Sequence, residues 1–91
     1  MKKRSSDSWF VYLLRCADGS LYTGITNDLS RRWAQHNDGK ASRYTRCRRP
    51  TKLVWCEAHL NRSSALKREA ALKVMTRREK LEIIRWSPKA G

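Results

Sequence analysis

The sequence predicts an α/β fold: a small, mainly antiparallel sheet with helices packed on it. Three observations predict it. Two short strand-like runs flank a tight turn near the start of the chain. A third, alternating run lies in the middle. Three segments carry helix start and stop signals, and strands that alternate with helices imply a layered α/β arrangement. With 91 residues the chain is long enough for one domain and one modest core.

Trp9 to Arg15 is apolar, aromatic and β-branched, which marks a strand; its near-continuous apolarity marks a central one. Cys16-Ala17-Asp18-Gly19-Ser20 is a turn, and Leu21 to Thr26 is the second strand. Asn27 or Asp28 caps a helix over about Leu29 to Asn37, and Gly39 stops it. A basic loop runs to Pro50. Thr51 to His59 alternates as a third strand. Asn61 to Ser64 offers several caps for a helix from about Ser63 to Val74. Thr76-Arg77-Arg78-Glu79 is a capping box that opens a last helix to about Arg85. The order is therefore β-β-α-β-α-α. Residues 9–86 form the domain, 1–8 a basic tail and 87–91 a second tail. Trp9, Trp33, Trp55 and Trp86 are the large packing anchors, with Trp86 fixing the last helix to the core.

Composition narrows the function. Lys plus Arg is 21 against 8 for Asp plus Glu, a net charge of +13. Such an excess suits a polyanion, nucleic acid first and anionic lipid second. The stretch Lys40 to Arg49 concentrates the charge: Lys40, Arg43, Arg46, Arg48 and Arg49, with Tyr44 among them and no acid. Cations set phosphate contacts and an interleaved aromatic offers stacking. Arg31 adds a cation on the first helix. No apolar run approaches the roughly 18 residues of a membrane span. The apolar run after the basic start ends at Arg15 and is too short for a signal peptide, so the expected location is the cytoplasm. Cys16, Cys47 and Cys56 show no Cys-x-x-Cys spacing, so they suggest neither a disulfide framework nor zinc and are read as structural.

The turn decides how two tyrosines relate. A two-residue loop pairs Arg15 with Tyr22 and puts Tyr12 and Tyr22 on opposite faces. A three-residue loop, Ala17-Asp18-Gly19, pairs Leu14 with Tyr22 and puts both phenols on one face, with Gly at the left-handed position. Both remain open on sequence grounds. On the first helix Leu29, Arg32, Trp33 and His36 share one face; Leu29 and Trp33 are read as core contacts, while Arg32 and His36 can reach a common point. The plainer alternative is a snorkelling Arg and a surface His. On the second long helix Glu69 is an acid within an apolar stripe: either an ion pair with Lys73 one turn on, or a ligand for a hard divalent ion. His59 is read as structural.

These residues carry a resemblance. The chain resembles the GIY-YIG nuclease superfamily, particularly its small stand-alone single-domain bacterial members. Phe10-Val11-Tyr12 matches the first motif and Tyr22-Thr23-Gly24 the second. Arg32 and His36 match the helix motif, and Glu69 the later metal-binding acid. The resemblance covers about Trp9 to Arg85. It implies three antiparallel strands flanked by helices, and divalent-metal-dependent hydrolysis of a nucleic-acid phosphodiester, with DNA the more expected substrate than RNA.

The same resemblance implies roles. Tyr12 and Tyr22 line the site, and one of them orients or deprotonates the attacking water. Arg32 and the metal favour the phenolate, His36 takes or relays the proton, and Arg32 holds phosphate oxygens. Glu69 holds one Mg²⁺ or Mn²⁺, and Gly24 lets backbone pass close to the site. Phe10, Val11 and Thr23 depart from the motif at scaffold positions. Ile25 stands where some members have a helper Lys. With no separate DNA-binding domain legible, substrate choice falls to the basic surface or a protein partner. Branched, damaged or single-stranded DNA in repair or recombination is the expected setting. The alternative is a DNA- or RNA-binding module that keeps the fold without cleaving.

Overall fold

In the computed structural model, which describes residues 8–86, one strand carries most of the architecture. β1 (Trp9–Arg15) lies between β2 (Leu21–Thr26) and β3 (Lys52–His59) in a sheet of order β2-β1-β3, antiparallel throughout. Its apolar run follows from that central place: Val11, Leu13 and Leu14 are fully buried. The tails expected over residues 1–8 and 87–91 lie, save for Ser8, outside the described residues.

The hairpin takes the three-residue loop. Leu14 faces Tyr22 and Tyr12 faces Gly24 across the β1–β2 ladder. The amide of Gly19 donates to the Cys16 carbonyl, Cys16 donates to Ser20, and Gly19 sits at φ +86°, where a side chain would be strained. Tyr12, Leu14 and Tyr22 therefore share one face of the sheet, and Val11 and Leu13 point to the other.

That other face holds the core. Val11, Leu13 and Trp55 of the sheet pack on Ala65 and Leu72 of α3 (Arg62–Lys73), with Ile25, Met75, Ile83 and Ile84 closing around them. Asn61 caps α3 by accepting from the Ser64 amide at 2.8 Å. α4 (Arg77–Trp86) opens with the capping box foreseen: the Thr76 amide donates to Glu79 at 2.8 Å and the Glu79 amide to the Thr76 hydroxyl at 3.1 Å.

α1 (Leu29–Asn37) starts at the cap Asp28 and ends in a Schellman motif, in which Lys40 donates to Gln35 and Gly39 to His36, with Gly39 at φ +78°. It is tied to the start of β3 by polar contacts. Asn37 Oδ1 accepts from the Thr51 amide at 2.7 Å, and the Trp33 indole donates to the Thr51 carbonyl at 3.1 Å.

Four expectations are corrected. The basic loop is not all irregular: Ser42 caps a short helix, α2 (Arg43–Arg46), by accepting from the Tyr44 and Thr45 amides. Trp33 is a partly exposed edge residue, because its indole N–H needs the Thr51 carbonyl. Trp86 is 73% exposed and held by Glu82 on its own helix, so it does not fix α4 to the core. Cys47 is exposed, whereas Cys16 is buried. Among the described residues no helix is long and apolar enough to cross a membrane.

Candidate active site

The face of the sheet opposite α3 carries a polar cluster. Tyr12 projects from the middle of β1 and crosses the strand beside it. A Cβ on Gly24 would lie 2.5 Å from the Tyr12 hydroxyl oxygen, so only glycine leaves room for the ring. The close approach expected at Gly24 is that of a side chain rather than of backbone. The ring ends at α1, where the Tyr12 hydroxyl and His36 Nε2 stand 2.9 Å apart. Tyr12 is 3% and His36 1% exposed. On its other side the imidazole faces Thr45 of α2, with Nδ1 and the hydroxyl oxygen 2.7 Å apart.

Tyr22 closes the cluster. Its ring lies 6.4 Å from that of Tyr12 and 4.9 Å from His36, edge to face with the imidazole. It also meets Tyr44 at 5.9 Å. The hairpin, α1 and α2 thus converge on one point, and the two phenols are neighbours, as the three-residue loop requires.

The electrostatics follow from burial. Burial pushes the Tyr12 phenol far above its ordinary pKa; the neighbouring Tyr22 and Glu69 push the same way, while Arg32 pulls it down. Arg32 acts in the direction expected of it, but burial outweighs it. Burial, and then the Arg32 charge, hold the His36 imidazole down to about 4. Both groups are therefore neutral at neutral pH. Arg32 stands one turn before His36, half-buried, with its charge felt by both.

Glu69 lies on α3, with its side chain 17% exposed and bound to Lys73 Nζ at 3.3 Å. Its charge reaches the Tyr12 phenol. Among the described residues no three His, Cys, Asp or Glu side chains gather as a cage. Magnesium and manganese need less: one or two carboxylates, with waters and substrate phosphate completing the shell. Glu69, a single mostly buried carboxylate on α3 whose charge reaches the cluster, is a donor that fits such an ion, provided that Lys73 yields its contact.

The basic residues divide into two groups. Arg31, Lys40, Arg43 and Arg46 are exposed, as is Tyr44. Arg48 and Arg49 are already engaged. Arg48 stacks 4.0 Å above the Tyr44 ring and donates to Asp18 at 3.0 Å and to the Tyr44 carbonyl at 2.8 Å. It braces the hairpin turn against α2. Arg49 donates to the Arg46 carbonyl at 2.9 Å. The sequence reasoning missed Thr45. Its signal was Ser42, a helix cap inside a stretch that had been read only for its charge. His59 lies away from the cluster, held by Ser64 at 2.6 Å and Glu57 at 2.8 Å, as a structural residue is.

A three-stranded α/β domain with paired hairpin phenols, an Arg–His pair on the next helix and a later acid is the pattern on which the sequence resembles a class of nuclease domain. Residues 8–82 match the family model described as the GIY-YIG catalytic domain. The chain belongs to the GIY-YIG family, an endonuclease superfamily, and the relatives it matches are small proteins covered along nearly their whole length. It is 49% identical over 78 residues to the UPF0213 protein SERP0126 of Staphylococcus epidermidis, covering 86% of this chain and 95% of that protein. It is 48% identical over 79 residues to the UPF0213 protein SA0446 of Staphylococcus aureus, covering 87% and 96%. The solution structure of the UPF0213 protein BH0048 from Bacillus halodurans is similar at a TM-score of 0.56 and 40% identity, covering 85% of this chain and 82% of that one. That of protein EF2693 from E. faecalis is similar at 0.60 and 34% identity, covering 100% and 98%.

Proposed function

We propose that this chain is an endonuclease that hydrolyses phosphodiester bonds in nucleic acid, DNA before RNA, with one divalent ion, Mg²⁺ or Mn²⁺, held by Glu69. The observation that carries this is the buried Tyr12–His36 contact, set against Tyr22 with Arg32 beside it. Any buried phenol needs an acceptor; here the acceptor is a titratable imidazole, with a cation and a second phenol beside it, which is a catalytic rather than a minimal structural pairing.

Each group has a task that its surroundings permit. Arg32 binds the non-bridging phosphate oxygens and offsets the charge that grows on them. A phenol buried this deeply does not ionise on its own. Tyr12 instead takes a proton from the attacking water as its own proton passes to His36 Nε2, so no phenolate accumulates. The imidazolium so formed is opposed first by burial and then by the charge of Arg32. The phosphodiester charge offsets the Arg32 part and favours the cation in its buried place, so the relay works best with substrate in place. Tyr22 walls the water in beside Tyr12. Glu69 would hold the ion, which when bound would polarise the phosphate and stabilise the leaving oxygen. Arg31, Lys40, Arg43 and Arg46 track the backbone outside the site, which favours structure over sequence as the basis of substrate choice. Branched, damaged or single-stranded DNA in repair or recombination fits such a surface.

The test is cleavage of labelled single-stranded, duplex, flap and four-way-junction DNA and of RNA, with Mg²⁺, with Mn²⁺ and with chelator. Wild type is run beside Glu69→Gln. Metal-dependent products from wild type and none from the variant are expected, with nucleic-acid affinity retained. Equal cutting by both would remove Glu69 from the mechanism. Binding without cutting in every lane would replace the enzyme with a binding module.

A further inference from the structure

Thr45 is the least expected member of the cluster. It is 0% exposed, it lies on the four-residue helix α2, and its hydroxyl oxygen is 2.7 Å from His36 Nδ1. It is also 3.4 Å from the Ser42 carbonyl, a long contact in which only the hydroxyl can donate.

A neutral imidazole carries its proton on one nitrogen, and the two choices have different consequences here. With the proton on Nδ1, three contacts are satisfied in series. Tyr12 O–H donates to Nε2, Nδ1–H donates to Thr45, and Thr45 O–H donates to the Ser42 carbonyl. With the proton on Nε2, the directions reverse. Thr45 must donate to Nδ1 and loses Ser42, Nε2–H donates to Tyr12, and the Tyr12 proton has no described acceptor. A buried donor without a partner is costly, so the first arrangement wins by one bond and one satisfied hydroxyl.

We infer that Thr45 is the positioning residue that holds His36 in its Nδ1–H tautomer and thereby makes Nε2 the acceptor for the Tyr12 proton. This deepens the nuclease reading and rests on it for its catalytic meaning. Thr45 touches no reacting atom; it acts through His36. Its place in the chain adds a consequence. Arg43 and Arg46 on the same helix are exposed, and Tyr44 lies against Tyr22. The basic loop therefore presents cations to the substrate with one side and sets the tautomer of the proton acceptor with the other.

The test reads the tautomer directly, by ¹⁵N NMR of histidine-labelled full chain near neutral pH. The sequence has only two histidines, so His59→Gln assigns the signals. Wild type is expected to show a protonated Nδ1 and an unprotonated Nε2 at His36. Thr45→Ser keeps that pattern, and Thr45→Val, which preserves shape and removes the acceptor, loses it. In cleavage assays Thr45→Val is expected to lower kcat by about 10- to 100-fold with little change in KM, and Thr45→Ser to restore most of it. A wild-type His36 protonated on Nε2 would overturn the inference. So would a folded Thr45→Val with an unchanged tautomer. If Thr45→Val does not fold, the wild-type and Thr45→Ser spectra still decide. The spectra need no cleavage, so an inactive wild type with the Nδ1–H tautomer would refute the nuclease reading alone.

Discussion

The two faces of β1 do different jobs with alternate residues of one strand. Val11 and Leu13 enter an apolar core with Trp55, Ala65 and Leu72. Tyr12, on the opposite face, enters a polar cluster with His36, Tyr22 and Thr45. The helices follow suit. α3 is anchored by apolar burial, whereas α1 is tied down by Asn37, Trp33 and Thr51 hydrogen bonds. The contrast has a physical basis. Apolar contact stabilises without direction, and hydrogen bonds fix orientation at small net gain. The proton relay proposed here needs orientation, and its members sit where polar contacts set the geometry while the other face supplies the stability.

Breaking the core face should give the largest effect on stability. Leu13→Ala should cost about 2–5 kcal/mol in denaturant melts. The activity per folded molecule should stay close to wild type. A large loss of that activity would show that the two faces are not separable.

Gly24→Ala attacks the other face through its backbone. The new Cβ would meet the Tyr12 ring, which is pinned at its far end by His36. A cost of about 1–3 kcal/mol is expected, together with a cleavage loss larger than that destabilisation explains. An unaffected enzyme would mean that the ring moves freely.

The smallest effects belong to the exposed cations. Removing Arg43 and Arg46 together should reduce the slope of log affinity against log salt by about 2. Arg48→Ala should instead lower the melting temperature and leave that slope nearly unchanged, since Arg48 braces Asp18 and Tyr44. A slope change for Arg48→Ala alone would reverse the division between bracing and binding residues.

Much of this was legible in the sequence because it rests on period and turn chemistry. The hairpin follows from the turn at Gly19, though its register stayed open until the β1–β2 ladder fixed it; the first helix follows from a cap at Asn27 or Asp28 and the stop at Gly39, and the last from Thr76 and Glu79. Arg32, His36 and Glu69 could be singled out because a charged or polar residue on an apolar stripe is conspicuous. Thr45 could not: it meets His36 only because α2 folds back, and its neighbours' charges dominate the stretch. Trp33 and Trp86 were misplaced for a related reason. Size argued for burial, yet each indole N–H took a polar partner near the surface, Thr51 in one case and Glu82 in the other.

The most direct measurement is cleavage by Tyr12→Phe beside wild type, on whichever substrate wild type cuts best. The variant keeps the ring and removes one oxygen. It leaves His36 Nε2 unpaired, at about 1–3 kcal/mol of stability, which melting will register. The account predicts a folded protein with wild-type affinity for nucleic acid and a kcat lower by about 10²- to 10⁴-fold. A folded Tyr12→Phe that cuts at the wild-type rate would contradict it.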